Sequence, residues 1–291
     1  MKNSTELLEA TVDYRTRESF LELHARERAK ALLDADSFRE LLGPFDRVTS
    51  PWLVIQDIVP EADDGCIVAK GTIDGHAAVV VAIEGKFQGG SIGEVCGMKL
   101  ATALELARKD TENGTPTYAV LLLETGGVRL QEANLGLALI SEIHAQIMEL
   151  RQHVPVVGVV AGMVGCFGGM SLAAALCTSL IVTRQARLGM NGPEVIEQEA
   201  GIEEFNASDR ALVWSVDGGE YRVKAGFADL LVPDDARAVA KAVRHELAKG
   251  VPAVHRSSKV EHYRNLLAQM DTSRQWDAAM VAEKFGKEST K

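Results

Sequence analysis

The sequence predicts an α/β fold with largely buried parallel strands, and three observations carry that prediction. From Trp52 onward, helical patterns such as GEVCGMKLATALELARKD and EANLGLALISEIHAQIMELRQ alternate with short β-rich runs such as YAVLLLE and VPVVGVV. Those runs are apolar throughout rather than at every second position, as in strands covered on both faces. Glycine-rich loops stand between strand and helix, where parallel α/β sheets place their sites.

The elements follow in order. ESFLELHARERAKALLDADSFREL sets Leu21, Ala25, Ala29, Leu32 and Leu33 at helical spacing among charges, so the first fifty residues are expected to be helical. GPFDRVTSP breaks that pattern. CIVAKGTIDGHAAVVVAIE holds two β-rich runs around Asp74-Gly75, a hairpin signal. Helix and strand then alternate as far as SLIVTRQARLGM. The last part reads as mostly helical, with DDARAVAKAVRHEL the clearest stretch and Asp234 and Asp235 suited to a helix N-terminus. The expected organisation is a helical extension over 1–50, one domain over 51–250 and a helical tail over 251–291.

With 291 residues, 46% hydrophobic and 25% charged, the chain can bury one large core or two modest ones. A net charge of -10 argues against nucleic acid as a partner, because phosphate binding needs a clustered basic surface. The four cysteines, Cys66, Cys96, Cys166 and Cys177, form no C-x-x-C pair and have no histidines at zinc-ligand spacing. Reduced thiols, no metal and a cytoplasmic location are therefore expected. The first twenty residues lack the apolar region of a signal peptide. Val154 to Thr183 is free of charge and long enough to cross a bilayer, but Pro155 and five glycines interrupt it, so no membrane span is expected.

Three glycine loops precede helices: GKFQGGSIGEVCGMK from Gly85, ETGGVRLQEA from Glu124 and GMVGCFGGMSLAAAL from Gly162. Amides at a helix start are unpaired and point outward, where they can bind negative charge. Neither a P-loop nor a G-x-G-x-x-G fingerprint is present, so a phosphate cradle is not expected. The plainer reading is that the glycines only permit tight turns and close packing. Two such loops at adjacent strand ends, however, can converge their amides on one oxygen atom.

Several side chains compete for attention. Gly169-Met170-Ser171-Leu172-Ala173 approximates a nucleophile elbow, with Asp229 and His245 or His255 downstream. An elbow needs its serine directly after a strand, and this strand ends near Ala161, so Ser171 is expected to be a helix-packing residue. Cys166 near a helix start is a candidate reactive thiol, with inert core the favoured reading. The seven histidines form no ligand pattern, and His144, on a long amphipathic helix, is expected to be a helix-surface or packing residue rather than a base. Arg129 either anchors its loop by pairing with a carboxylate such as Glu132 or contacts substrate.

Taken together, the motifs resemble the carboxyltransferase branch of the crotonase superfamily. ARERAKALLDADSFREL is similar to that family's N-terminal helix and L-L-D-x-x-S-F element, GTIDGHAAVVVA to its hairpin, and GGSIGEVCGMK to its G-G-S-x-G loop. ETGGVRLQEA resembles S-G-G-A-R-x-Q-E, GCFGG the later double glycine, MNGPEVIE the G-P-x-V-I segment and GFADLLVPDDARAV the G-V-A-D element. The resemblance implies a crotonase-like spiral of ββα units in a single carboxyltransferase-type domain with helical extensions. Thr125 and Val128 depart from the usual serine and alanine, which is expected to leave the backbone donors available. No cysteine ribbon is present, unlike the zinc-bearing β subunit of bacterial acetyl-CoA carboxylase.

The chain covers only one of the two homologous halves of a full carboxyltransferase, and most resembles the β subunits of biotin-independent malonate decarboxylases. That resemblance implies a γ subunit supplying the second half, an acyl carrier protein and an acetyl-carrier-protein:malonate transferase subunit. It implies no cofactor on this chain, a phosphopantetheine-type group on the carrier, and no biotin. The implied chemistry is loss of CO₂ from a malonyl thioester through an enolate. The amides around Gly126, Gly127, Gly168 and Gly169 are expected to hold its oxygen. Val128, Met163, Val164, Phe167 and Met170 would form an apolar wall, and Ser91, Gly93 and Lys99 are candidates for guiding the phosphopantetheine arm. The alternatives are a carboxyltransferase subunit of a biotin-dependent acyl-CoA carboxylase or decarboxylase, a serine hydrolase using Ser171, and a noncatalytic scaffold.

Overall fold

A computed structural model describes residues 15–59, 65–132, 134–274 and 276–286. The expected helical extension before residue 15 lies outside the described residues. Among the described residues, seven strands form one sheet in chain order: β1 (Arg39–Leu42), β2 (Cys66–Ile73), β3 (His76–Ile83), β4 (Tyr118–Leu122), β5 (Val156–Val160), β6 (Ser179–Thr183) and β7 (Leu230–Val232). β1, β2 and β3 are antiparallel neighbours, and β3 to β7 run parallel. The turn between β2 and β3 is Asp74-Gly75 with φ of 50° and 78°, the left-handed pair that a two-residue hairpin needs.

Alternation along the strands divides the core. Val79, Val81 and Ile83 of β3 point to one face with buried residues of helices Glu94–Glu112, Asn134–Leu150 and Gly169–Leu176. Ala78, Val80 and Ala82 point to the other, against helices Ala25–Leu32 and Ala236–Ala248. All five residues of β5 and of β6 are buried, which explains their unbroken apolar runs.

One expectation fails. The N-terminal helix stops at Leu32, and Arg39–Leu42 is a strand paired with β2. The cause is Asp34, whose carboxylate accepts from the Thr72 hydroxyl at 2.8 Å and from the Asp74 and Gly75 amides at 3.1 and 2.9 Å. The chain leaves the helix to clamp the hairpin tip, and Asp36 sits at φ 61° in the turn that follows. At the other end, Asp235 caps helix Ala236–Ala248 through the Ala238 amide at 2.9 Å, as its position in the sequence suggested. Asp234 turns away to the Ser19 hydroxyl at 2.6 Å and the Leu21 amide at 2.9 Å. Among the described residues, no helix is long and apolar enough to cross a membrane.

Candidate active site

The loops that leave the parallel strands pair with each other in the same order as the strands. Single parallel bridges join Ile92 to Val128, Thr125 to Cys166 and Cys166 to Leu188. The Thr125 amide donates to the Gly165 carbonyl at 2.7 Å and the Phe167 amide to the Thr125 carbonyl at 3.0 Å. The two glycine loops after β4 and β5 are thereby locked in register.

The structure assigns a different role to each candidate amide. Gly126 donates to the Gly89 carbonyl at 2.9 Å, Gly127 to the Thr125 hydroxyl at 3.1 Å and Gly168 to the Met190 carbonyl at 2.9 Å. Thr125 therefore does not leave the Gly127 donor available, because its hydroxyl takes it. The amides of Val128, Gly169 and Met170 have no acceptor among the described residues. Gly169 begins the helix Gly169–Leu176, which has no side-chain cap, so its partial positive end stays exposed to the loop.

Around these amides the apolar residues divide into two sets. Phe167 and Met170 are core, Val128 and Val164 are half-buried, and Met163 is 65% exposed. The chain by itself therefore closes only part of the expected wall.

Ser91 and Gly93 belong to a buried polar cluster at the start of helix Glu94–Glu112. Glu132 accepts from the Glu94 amide at 2.6 Å and from Arg129 at 2.9 Å. Arg129 also reaches the Ser91 carbonyl at 2.8 Å and hydroxyl at 3.2 Å. A carboxylate at a helix N-terminus complements the helix dipole, and Gly93 leaves room for it: a Cβ there would collide with Glu132. Arg129 is thus a loop anchor. A cavity lined by Thr49, Ser50, Leu53, Val95 and Arg129 opens beside this cluster. Lys99, by contrast, is carried inward by its helix. It is buried with its ammonium on the Gly43 carbonyl at 3.0 Å, which removes it from any arm lying on the surface.

The reactive-looking side chains are quiet. Ser171 donates to the Gly168 carbonyl at 2.7 Å, and Asp229 accepts from the Leu180 amide at 2.7 Å and pairs with Arg256. No serine–histidine–aspartate relay forms among the described residues. Cys166 is fully buried, which pushes its thiol far above the usual range. His144 lies 2.8 Å from the Gly169 carbonyl, so the hydrogen-bonded Nε2 is its protonated nitrogen.

Sequence reasoning named Thr125 without its role here, and missed Arg187 and Glu124 as builders of this site. Thr125 sets the loop register, and Arg187 donates to the Met163 and Val164 carbonyls at 2.9 and 3.3 Å. Glu124 is buried and paired with Arg28. An acidic residue at the end of an apolar strand, as in YAVLLLE, was the available signal for the last.

Known proteins share this architecture. A chain of the Pseudomonas malonate decarboxylase hetero-tetramer, solved in complex with malonate, matches with TM-score 0.89 and 59% identity, covering 93% of this chain and 98% of that one. A chain of the Pseudomonas malonate decarboxylase MdcD-MdcE hetero-dimer matches with TM-score 0.74 and 54% identity, covering 87% and 97%. Malonyl-S-ACP:biotin-protein carboxyltransferase MADC of Malonomonas rubra is 38% identical over 263 residues, 87% of this chain and 83% of the relative. Residues 22–279 match the family described as carboxyl transferase domain, and the chain belongs to that family.

Proposed function

We propose that this chain is the β-type subunit of a cytoplasmic malonate decarboxylase complex, converting malonyl thioester on an acyl carrier protein to acetyl thioester and CO₂. The observation that carries this reading is the 59% identity to a chain of the Pseudomonas malonate decarboxylase over 98% of that chain. The geometry supports it. Cleaving the bond to the departing carboxylate sends its electron pair toward the thioester carbonyl, whose oxygen becomes an enolate. The unpaired amides of Val128 and Gly169 stand on the two loops held in register by Thr125, as donors to that oxygen. Gly126, Gly127 and Gly168 serve by fixing the shape of those loops through their own hydrogen bonds. Removing one comparable donor costs about 3 kcal/mol of transition-state stabilisation. Protonation of the enolate carbon completes the acetyl thioester.

A homologous γ subunit supplies the second half. Leu130, Leu137, Met163, Leu172 and Met190 are exposed on the elements that carry the site, an apolar surface suited to such a partner. The carrier protein brings a phosphopantetheine-type group, a transferase subunit reloads it with malonate, and no cofactor is required on this chain.

A second reading, transfer of the carboxyl group to biotin, is favoured by the likeness to MADC. Co-purifying the chain with its partners and assaying malonyl-thioester decarboxylation with and without avidin separates the two. Turnover indifferent to avidin supports the proposal, and turnover abolished by avidin supports transfer to biotin.

A further inference from the structure

One buried carboxylate touches both amide-bearing loops. Glu124 opens the loop that carries Gly126, Gly127 and Val128, and it is 7% exposed. Its Oε1 accepts from the Val164 amide at 3.4 Å, within the loop that leads to Gly168 and Gly169. Its other oxygen pairs with Arg28, itself buried on helix Ala25–Leu32. Two glycines keep space for this side chain. A Cβ on Gly85 would lie 2.6 Å from Glu124 Cγ, and one on Gly162 would collide with the carboxyl carbon.

Arg28 is held as firmly as its partner. It donates to the Phe20 carbonyl at 3.0 Å and the Leu21 carbonyl at 2.6 Å, and its guanidinium lies 5.7 Å from the Phe20 ring centre. Leu21 is in turn fixed by its amide on Asp234 at 2.9 Å. The pair therefore connects the N-terminal segment and the region before helix Ala236–Ala248 to the floor of the site.

A buried ion pair is weak evidence for stability, since desolvation offsets much of its attraction. What distinguishes this one is its placement. The carboxylate is covalently part of one loop and hydrogen-bonded to the other, and two glycines are left without side chains to admit it. We infer that Arg28 and Glu124 form a positioning pair that sets the spacing between the Val128 and Gly169 amides. The pair acts on the developing enolate oxygen through those amides. This rests on the decarboxylation reading above.

The test uses the assembled complex, with the wild type measured alongside Glu124→Asp, Gly162→Ala, their combination and Arg28→Lys. Glu124→Asp keeps the charge balance but withdraws the carboxylate from Val164, and Gly162→Ala displaces the same carboxylate by crowding its carboxyl carbon. Each single change is expected to lower kcat at least about tenfold with KM within about twofold, since small misplacement of reacting groups costs rate steeply. The combination should recover part of the lost kcat, because the shorter acid makes room for the methyl group. Arg28→Lys should show the same split between kcat and KM.

Single variants whose kcat stays within about twofold of wild type overturn the inference alone. So does a loss of assembled complex in all of them, which marks the pair as a folding element only. A wild-type complex that leaves malonyl thioester unchanged overturns the function reading, and this inference with it.

Discussion

Gly127 and Gly168 meet main chain against main chain: a Cβ built on Gly168 would lie 3.5 Å from the Gly127 Cα, and one on Gly127 3.6 Å from the Gly168 Cα. Those distances are ordinary van der Waals contacts, so space alone does not demand glycine. Their φ angles of 108° and 62° do, because side chains rarely tolerate that region. Strain at such a position costs roughly 1–3 kcal/mol. Gly168→Ala should therefore lower turnover by relaxing the backbone next to the Gly169 amide, while the complex still assembles. Steady-state kinetics beside size-exclusion chromatography checks both halves of that expectation.

Ser171 donates its hydroxyl to the Gly168 carbonyl, and among the described residues no histidine or carboxylate is hydrogen-bonded to it. Ser171→Ala should keep turnover within about threefold, the effect of losing one modest hydrogen bond. A fluorophosphonate should leave the wild-type chain unlabelled. Labelling that disappears in Ser171→Ala would restore the hydrolase reading.

Glu132 neutralises Arg129 in a buried setting and holds the first amide of helix Glu94–Glu112. Glu132→Gln leaves Arg129 without its charge partner, so the chain should lose about 3–5 kcal/mol of stability, the usual cost of breaking a buried pair. Replacing both, as Arg129→Met with Glu132→Gln, should recover part of it. Denaturant midpoints measure the two differences.

The Asp34 carboxyl is held below its ordinary range, chiefly by the Gly75 amide and then by the Thr72 hydroxyl, the Asp74 amide and Arg244, with partial burial opposing them. A carboxyl with a depressed folded pKa contributes stability above its unfolded value, and loses it as pH falls through the folded one. Wild type should therefore exceed Asp34→Ala in stability at neutral pH by about 1–3 kcal/mol, as for hydrogen bonds to a charged group. The gap should narrow once the pH falls below 3.8. Parallel denaturation curves across that range test the sign.

Much of the sheet was legible because burial on both faces leaves unbroken apolar runs, as in β5 and β6, and because Asp74-Gly75 can make only a tight hairpin. The end of the N-terminal helix was not. Leu41 and Leu42 continue an apolar spacing that suits a helix, whereas the Asp34 contacts that stop the helix come from the distant hairpin tip. The glycine loops of the site were likewise visible, but the state of each amide was not. Acceptors for Gly126 and Gly168 come from the Gly89 and Met190 carbonyls, which no local pattern announces. Lys99 was a candidate for guiding the phosphopantetheine arm, and only the packing of its helix shows that it points inward.

In the proposed function, a main-chain donor at Gly169 stabilises the enolate. A Cβ at this position would lie 2.7 Å from Ile140 Cγ2, so a branched side chain presses on the buried Ile140 and strains the start of helix Gly169–Leu176, where the amide stands. The deciding measurement is the single-turnover rate of malonyl-thioester decarboxylation by a correctly assembled Gly169→Val complex. A fall of about 100-fold or more, the size of a lost oxyanion donor, is the predicted result. Near-wild-type turnover in that complex would contradict it.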